Sequence, residues 1–255
     1  MILDFRPGDL PGLVAFWHFS RPGGRFTAQE GEPYTLESQT GELAVESVPG
    51  APFGGKALRL NEGDWLSCPR AACPKLDIHG PQGRLTLIAW FRRAKKAERD
   101  ATGHSECEFL AGQWNESNRG RQYGLFLNIK VWQQTDQVCG HLSNVGGPTP
   151  GYKYCIDGPV GQTPVPWDAW SVAAMSYDGC SGHAWLNGQL DVRPGLNPYS
   201  LAGGLHDGGP DGSDFTVGAV DRSGKIGNFF TGHLAALAVY NRALSPAEIY
   251  ALSTR

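Results

Sequence analysis

The sequence predicts an all-β fold, a two-sheet antiparallel sandwich with one short helix at the C-terminus. Short apolar or alternating runs recur from end to end, turn residues cut them at sandwich spacing, and a helical period is found only at the C-terminus. The 255 residues include 35 Gly and 18 Pro, which suit turns and do not suit a helix interior. With 40% hydrophobic and 11% aromatic residues, the chain has apolar material for a sizeable core and does not read as disordered.

The predicted strands run, in order, from Leu13 to Phe19, Trp65 to Cys68, Leu85 to Phe91, Phe109 to Gln113, Tyr123 to Val131, Val138 to Leu142, Trp170 to Tyr177, His183 to Leu186, Phe215 to Ala219 and Leu234 to Tyr240. From Tyr123 onward, Leu125, Leu127, Ile129 and Val131 fall on one face and Phe126, Asn128 and Lys130 on the other, the pattern of a strand half exposed to water whose second face is open to a ligand. Asn187-Gly188 separates two apolar pieces and accepts the positive φ angles of a type I′ hairpin. Helix signals gather at Leu244 to Ile249: Ser245 as cap, Pro246 at the first helical position, Glu248 closing a capping box, and Leu244 with Ile249 as a hydrophobic staple. The Gly-rich stretch from Leu201 to Asp214 reads as a long loop, and with no linker-like composition shift residues 1–255 are expected to form one domain.

A formal net charge of −3 offers no broad positive field to phosphate backbones or anionic lipid, so nucleic acid is not an expected partner. The basic run Arg92-Arg93-Ala94-Lys95-Lys96, followed by Glu98, Arg99 and Asp100, reads as a solvated loop. No apolar stretch approaches bilayer-spanning length, so membrane insertion is not expected. Met1 to Pro7 lacks the charged start, apolar middle and small-residue cleavage site of a secretory signal. The chain as written therefore reads as soluble and cytoplasmic, or as secreted if a signal peptide preceded it. The six cysteines, Cys68, Cys73, Cys107, Cys139, Cys155 and Cys180, lack zinc-knuckle spacing. Cys68 with Cys73, and Cys139 with Cys155, flank short loops that a disulfide can close in an oxidising compartment, while in a cytosol they stay thiols.

The order of these pieces resembles the laminin G-like, concanavalin A-like family, in particular its stand-alone bacterial, pentraxin-related branch. Leu13 to Phe19 is similar to the family's opening strand, Gly55 to Leu60 with Asp64-Trp65-Leu66 to its second pair, and Leu85 to Phe91 to the next core strand. Trp170 to Gly179 with Trp185-Leu186-Asn187-Gly188 is similar to the paired strands and Asn-Gly turn, and Phe230 to Leu234 with Ala238 to Ser245 to the close. The resemblance implies a jelly roll whose first and last strands lie side by side, and a glycan, an oligo- or polysaccharide, as partner. Lys95 to Val165 is the least family-like part, and function is sought there because a fold does not confer it.

Sugars stack their apolar faces on aromatic rings while Asn, Gln, Arg and His take the hydroxyl hydrogen bonds. The middle segment holds that mixture: Trp114, Asn115, Arg119, Arg121, Gln122 and Tyr123, then His141 and Asn144, then Tyr152, Lys153 and Tyr154. If their strands are neighbours, these side chains share one concave ligand face. Gly146 to Tyr154, with Pro148, Pro150 and three glycines, makes a stiff loop suited to walling a pocket.

Two other readings stay open. Polysaccharide lyases on related jelly rolls neutralise a uronate with Arg or Gln and move the proton with His or Tyr, and Arg121, Gln122, His141 and Tyr152 supply those types, with Arg121, His141 and Tyr152 as the catalytic set for an enzyme. A retaining glucanase needs carboxylates alternating along a strand, and Glu106-Cys107-Glu108 is too short for that. An adhesion module that binds protein is the third reading. The family resemblance also implies calcium, with Glu62 and Asp64 as ligands and Asp207, Asp211 and Asp214 as a second set. Ala235 and Ala236 fill the position where the family carries an acidic ligand, and the remaining histidines show no ligand spacing.

Overall fold

The computed structural model describes residues 6–96, 107–129, 133, 135–222 and 224–254. Every predicted run forms a strand, and antiparallel pairing gathers the strands into two large sheets, a jelly-roll sandwich. The main path of the ten-stranded sheet runs Gln189–Leu190, Ser181–Leu186, Trp170–Tyr177, Leu85–Arg93, Gly232–Tyr240, Leu13–His18, Glu30–Gly31. The seven-stranded sheet runs Val138–Leu142, Arg121–Leu127, Glu108–Trp114, Phe215–Val217, Leu66–Cys68, Thr35–Ser38, Arg25–Thr27. The first and last long strands are partners, with Leu13 opposite Tyr240 and Trp17 opposite Leu237.

Period-2 alternation explains how one apolar run serves two layers. On Leu85–Arg93, the side chains of Leu85, Leu87, Ala89 and Phe91 enter the core between the sheets. Ile88 and Trp90 point the other way, into a second apolar layer shared with Ile249 and Leu252 of the C-terminal helix. Across the core, Trp17 of one sheet stacks on Phe215 of the other, ring centroids 5.9 Å apart. Full burial of rings of this size contributes about 2–3 kcal/mol each.

The helix Pro246–Ser253 starts where its cap predicts. The Glu248 amide donates to Ser245 Oγ (3.3 Å), and the Ser245 amide donates to the Glu248 carboxylate (2.8 Å). The Arg242 guanidinium, donating to that carboxylate, pulls the Glu248 pKa down to about 2. Asn187 (φ 49°) and Gly188 (φ 81°) turn the expected hairpin.

Two expectations are corrected. The run from Tyr123 is not a half-exposed strand: it spans Arg121–Leu127 and is buried on both faces. Asn128 adopts φ 59° at its end, so Ile129 leaves the core face and packs with Phe126 instead; Lys130 and Val131 lie outside the described residues. Nor is the basic run a solvated loop. Arg93 is fully buried, its Nε donating to Glu108, its Nη1 donating to Asp136 (2.6 Å), and its guanidinium 3.5 Å over the Trp167 ring. Lys96 is also buried, beside Glu108, while Glu98, Arg99 and Asp100 lie outside the described residues. All six cysteines are free thiols, with Cys73 Sγ directed at the Cys68 carbonyl (3.5 Å) and Cys155 Sγ at that of Leu142 (3.6 Å). Burial pushes Cys139 up to about 12 and Cys155 up to about 11.

Candidate functional site

At one edge of the seven-stranded sheet, Glu108–Trp114, Arg121–Leu127 and Val138–Leu142 lie side by side, so outward side chains of three strands meet. The rings of Phe109 and Phe126 pack edge on at 4.7 Å, and Trp114 lies 6.0 Å from Phe126. His141 closes the cluster, its ring 5.0 Å from Trp114 and 5.2 Å from Phe126. Gly124, between His141 and Gly112 in the pairing, makes room for these rings: a Cβ there would stand 2.9 Å from both Phe109 and Phe126. The pairing register shifts between Arg121 and Tyr123. This bulge reverses the alternation, so Arg121 faces outward opposite Trp114 while Tyr123 faces the core.

A hollow of about 400 Å³ lies over this cluster. The buried Trp114, Phe126, Ile129 and His141 form its floor. Arg121, Glu116, Arg222 and Asn228 add polar groups, with Cys107 and Cys155 between them, and Tyr154 stands at the lip, 57% exposed. Burial pulls the His141 pKa down to about 4, against the pull of the Asp157 carbonyl 3.3 Å from Nδ1 and with the help of the Arg121 charge. The ring is therefore neutral at pH 7, with Nδ1–H donating to that carbonyl and Nε2 left as an acceptor. The carboxylate of Asp157 anchors the lip from below, accepting from Thr149 Oγ1 (2.6 Å) and from the Tyr199 hydroxyl (2.7 Å).

Four of the sequence candidates therefore come together here: Trp114, Arg121, His141 and Tyr154. Tyr152 and Lys153 stand exposed next to Tyr154, the Lys153 ammonium 5.2 Å over the Tyr154 ring, but neither lines the hollow. Asn115 works locally, its Oδ1 accepting from the Ser117 amide (2.6 Å) and its Nδ2 donating to Asp221 (3.1 Å). Tyr123 is a core residue whose hydroxyl donates to the Leu76 carbonyl (2.6 Å). Gln122 is fully buried in another network, accepting from Arg70 Nη1 (2.6 Å) and donating to Asp77 (2.9 Å). Arg119 and Asn144 brace loops by donating to the carbonyls of Val145 and Ala202. Sequence reasoning missed Glu116, Arg222 and Asn228. The nearby charges Arg222 and Lys225 were the available signal, but only tertiary contact carries Arg222 to this edge.

The calcium expectation does not fit the donors. Asp64 accepts from the Asn61 amide (2.9 Å) and from Thr40 Oγ1 (3.0 Å), closing a turn, while Glu62 lines a recess that shares Glu116 and Arg222 with the hollow and has the Lys96 ammonium 3.9 Å away. The two carboxylates do not form a ligand group. Asp207 and Asp214 accept from the backbone amides of Gly209 and Arg70, both at 2.8 Å. Among the described residues, Asp77, His79 and Asp207 bring ligand atoms within 4.8 Å of one another, but the Arg70 guanidinium already supplies the cation, 2.5 Å from Asp77 and 3.8 Å from Asp207.

An antiparallel jelly roll with a mixed aromatic and polar hollow on one sheet edge defines the class of protein. Residues 71–250 match the sequence model of the concanavalin A-like lectin/glucanases superfamily, and the chain belongs to that superfamily. No curated protein matches the sequence. Solved structures that share the fold include the botulinum neurotoxin serotype G binding domain (TM-score 0.59, 12% identity, covering 94% of this chain and 50% of that one). Others are a Trypanosoma rangeli sialidase (0.58, 16%, 95% and 33%) and domain 4 of an extracellular arabinanase from Geobacillus stearothermophilus in complex with arabinotriose (0.51, 16%, 95% and 98%). The chain thus spans about half the toxin structure and a third of the sialidase, but nearly all of the arabinanase domain. No helix among the described residues is long and apolar enough to cross a membrane.

Proposed function

We propose that this chain, as one domain, is a carbohydrate-binding jelly roll that seats an oligo- or polysaccharide in the hollow of Trp114, Arg121, His141 and Tyr154. The observation that carries the reading is the composition of that hollow: an aromatic floor, hydrogen-bonding groups on its walls, and one exposed ring at its lip. A sugar presents an apolar ring face and a belt of hydroxyls, and this arrangement answers both. The arabinanase domain with the same fold, solved with arabinotriose, supports the ligand class.

The lyase reading keeps Arg121 and His141 in one hollow, but its tyrosine, Tyr152, is not part of the lining. Binding is therefore the stronger reading. A glycan array on the wild-type chain and on Tyr154→Ala tests it, with absorbance of unsaturated products recorded on the same sugars. The Tyr154 ring is exposed, so its loss should leave the melting temperature unchanged and weaken sugar affinity about tenfold. Absence of any bound sugar, or equal affinity of the two chains, overturns the proposal, and turnover lost in His141→Ala replaces it with the lyase.

A further inference from the structure

The geometry points to an acidic ligand: we propose that the hollow selects sugars carrying a carboxylate, gripped by the Arg121 guanidinium with Arg222 on the same rim. This rests on the reading of the hollow as a sugar site and names the chemistry of its occupant.

The argument starts from the cost of burying Arg121. Its side chain is only 9% exposed, and the carboxylate facing it, Glu116, is a long 3.9 Å away. The Trp114 ring is 6.0 Å from the guanidinium carbon. Among the described residues its guanidinium donates no hydrogen bond to a protein acceptor, although it carries five N–H donors. A buried cation so loosely matched is costly unless something completes its pairing. Among the described residues, two other buried arginines have closer carboxylates: Arg70 is 2.5 Å from Asp77 and Arg93 is 2.6 Å from Asp136, although the Nη2 of each lacks a hydrogen-bond partner.

Arg121 lines the hollow, so a ligand seated there can complete its pairing. Arg222 lines the same hollow, and the neighbouring His141 is neutral at pH 7. A carboxylate is planar and takes two parallel N–H bonds from a guanidinium. On a pyranose it sits at the ring edge, so the ring can lie against Tyr154 while the carboxylate reaches Arg121.

Affinities for three matched pairs test the proposal: oligogalacturonate against its methyl ester, sialyllactose against lactose, and a sulfated against an unsulfated galactan. Wild-type chain should bind at least one carboxylated member about tenfold or more tightly than its neutral partner, and raised salt should shrink the difference. Arg121→Met should collapse that acid-to-neutral ratio toward one, and Arg222→Gln, on the exposed rim where folding is not at stake, should reduce it in part. Equal affinity for acid and neutral partners in the wild type overturns the inference while leaving the sugar reading intact. Selection of the sulfated sugar alone overturns the carboxylate assignment, and failure to bind any sugar overturns both.

Discussion

The imidazole of His141 rests against the indole of Trp114, ring centroids 5.0 Å apart and planes tilted by 36°. The two residues sit on strands that flank Arg121–Leu127, so this contact spans the sheet beneath the hollow. An uncharged ring is what such packing requires, and burial enforces it by pulling the His141 pKa from 6.5 to about 4. Three measurable consequences follow from this and from two neighbouring features.

The first concerns acid. An unfolded His141 takes its proton near 6.5 and the native one near 4, so between these values the unfolded chain binds more protons. Native stability therefore rises with pH across that window and is lost as pH falls from 6.5 to 4. The full loss is of order 3 kcal/mol. Urea midpoints measured at pH 4.5 and pH 7 should differ less in His141→Phe than in the wild type, since Phe keeps the ring cluster and removes the titration. An unchanged difference would show that His141 is not buried neutral.

The second concerns Gly158, at φ 145°, beside the strand that carries His141. A Cβ there would lie 1.8 Å from the Gly140 carbonyl oxygen and 3.0 Å from the His141 Cα, both backbone atoms that cannot swing aside. Gly158→Ala must push this segment off the strand, breaking the bonds from the Leu142 amide to the Asp157 carbonyl (3.0 Å) and from the Gly140 amide to that of Pro159 (2.8 Å). The expected loss exceeds about 2 kcal/mol, and sugar affinity should fall with it because Asp157 anchors the lip that presents Tyr154. Gly151→Ala is the control: φ is 85° but no neighbouring atom lies within 4 Å, so only local strain of about 1 kcal/mol is incurred. Equal losses in the two variants would refute the packing argument.

The strands, the Asn187-Gly188 hairpin and the Ser245 cap were legible because each depends on neighbours within a few residues. Site membership was legible for His141 and Trp114, whose residue types suit a sugar face. It failed where the backbone slips register: the bulge between Arg121 and Tyr123 sends two residues expected on one face to opposite sides of the sheet. It failed again where a polar side chain is satisfied from afar. Gln122 reads as a ligand group until Arg70, 52 residues earlier, is seen to donate to it, and nothing local announces that Arg222 shares a hollow with Arg121.

The third consequence concerns Arg93 and Glu108, a fully buried ion pair joining the end of the ten-stranded sheet to the start of the Glu108–Trp114 strand in the other. Burial raises the Glu108 pKa, and the charges of Arg93 and Lys96 oppose the shift. Removing one partner strands the other. Arg93→Met leaves Glu108 with the Thr231 amide (3.3 Å) and, as its remaining cation among the described residues, Lys96 at 3.9 Å, and should cost about 3–5 kcal/mol in urea unfolding. Arg93→Met with Glu108→Leu replaces both charges by apolar groups in a pocket already floored by Trp167, and should recover at least half of that loss. Recovery would mean that the pair fixes how the two sheet ends meet more than it stabilises the fold. A double variant no more stable than the single one would instead show that Asp136 and Lys96 depend on the pair, making all four charges one cooperative network whose members cannot be exchanged two at a time.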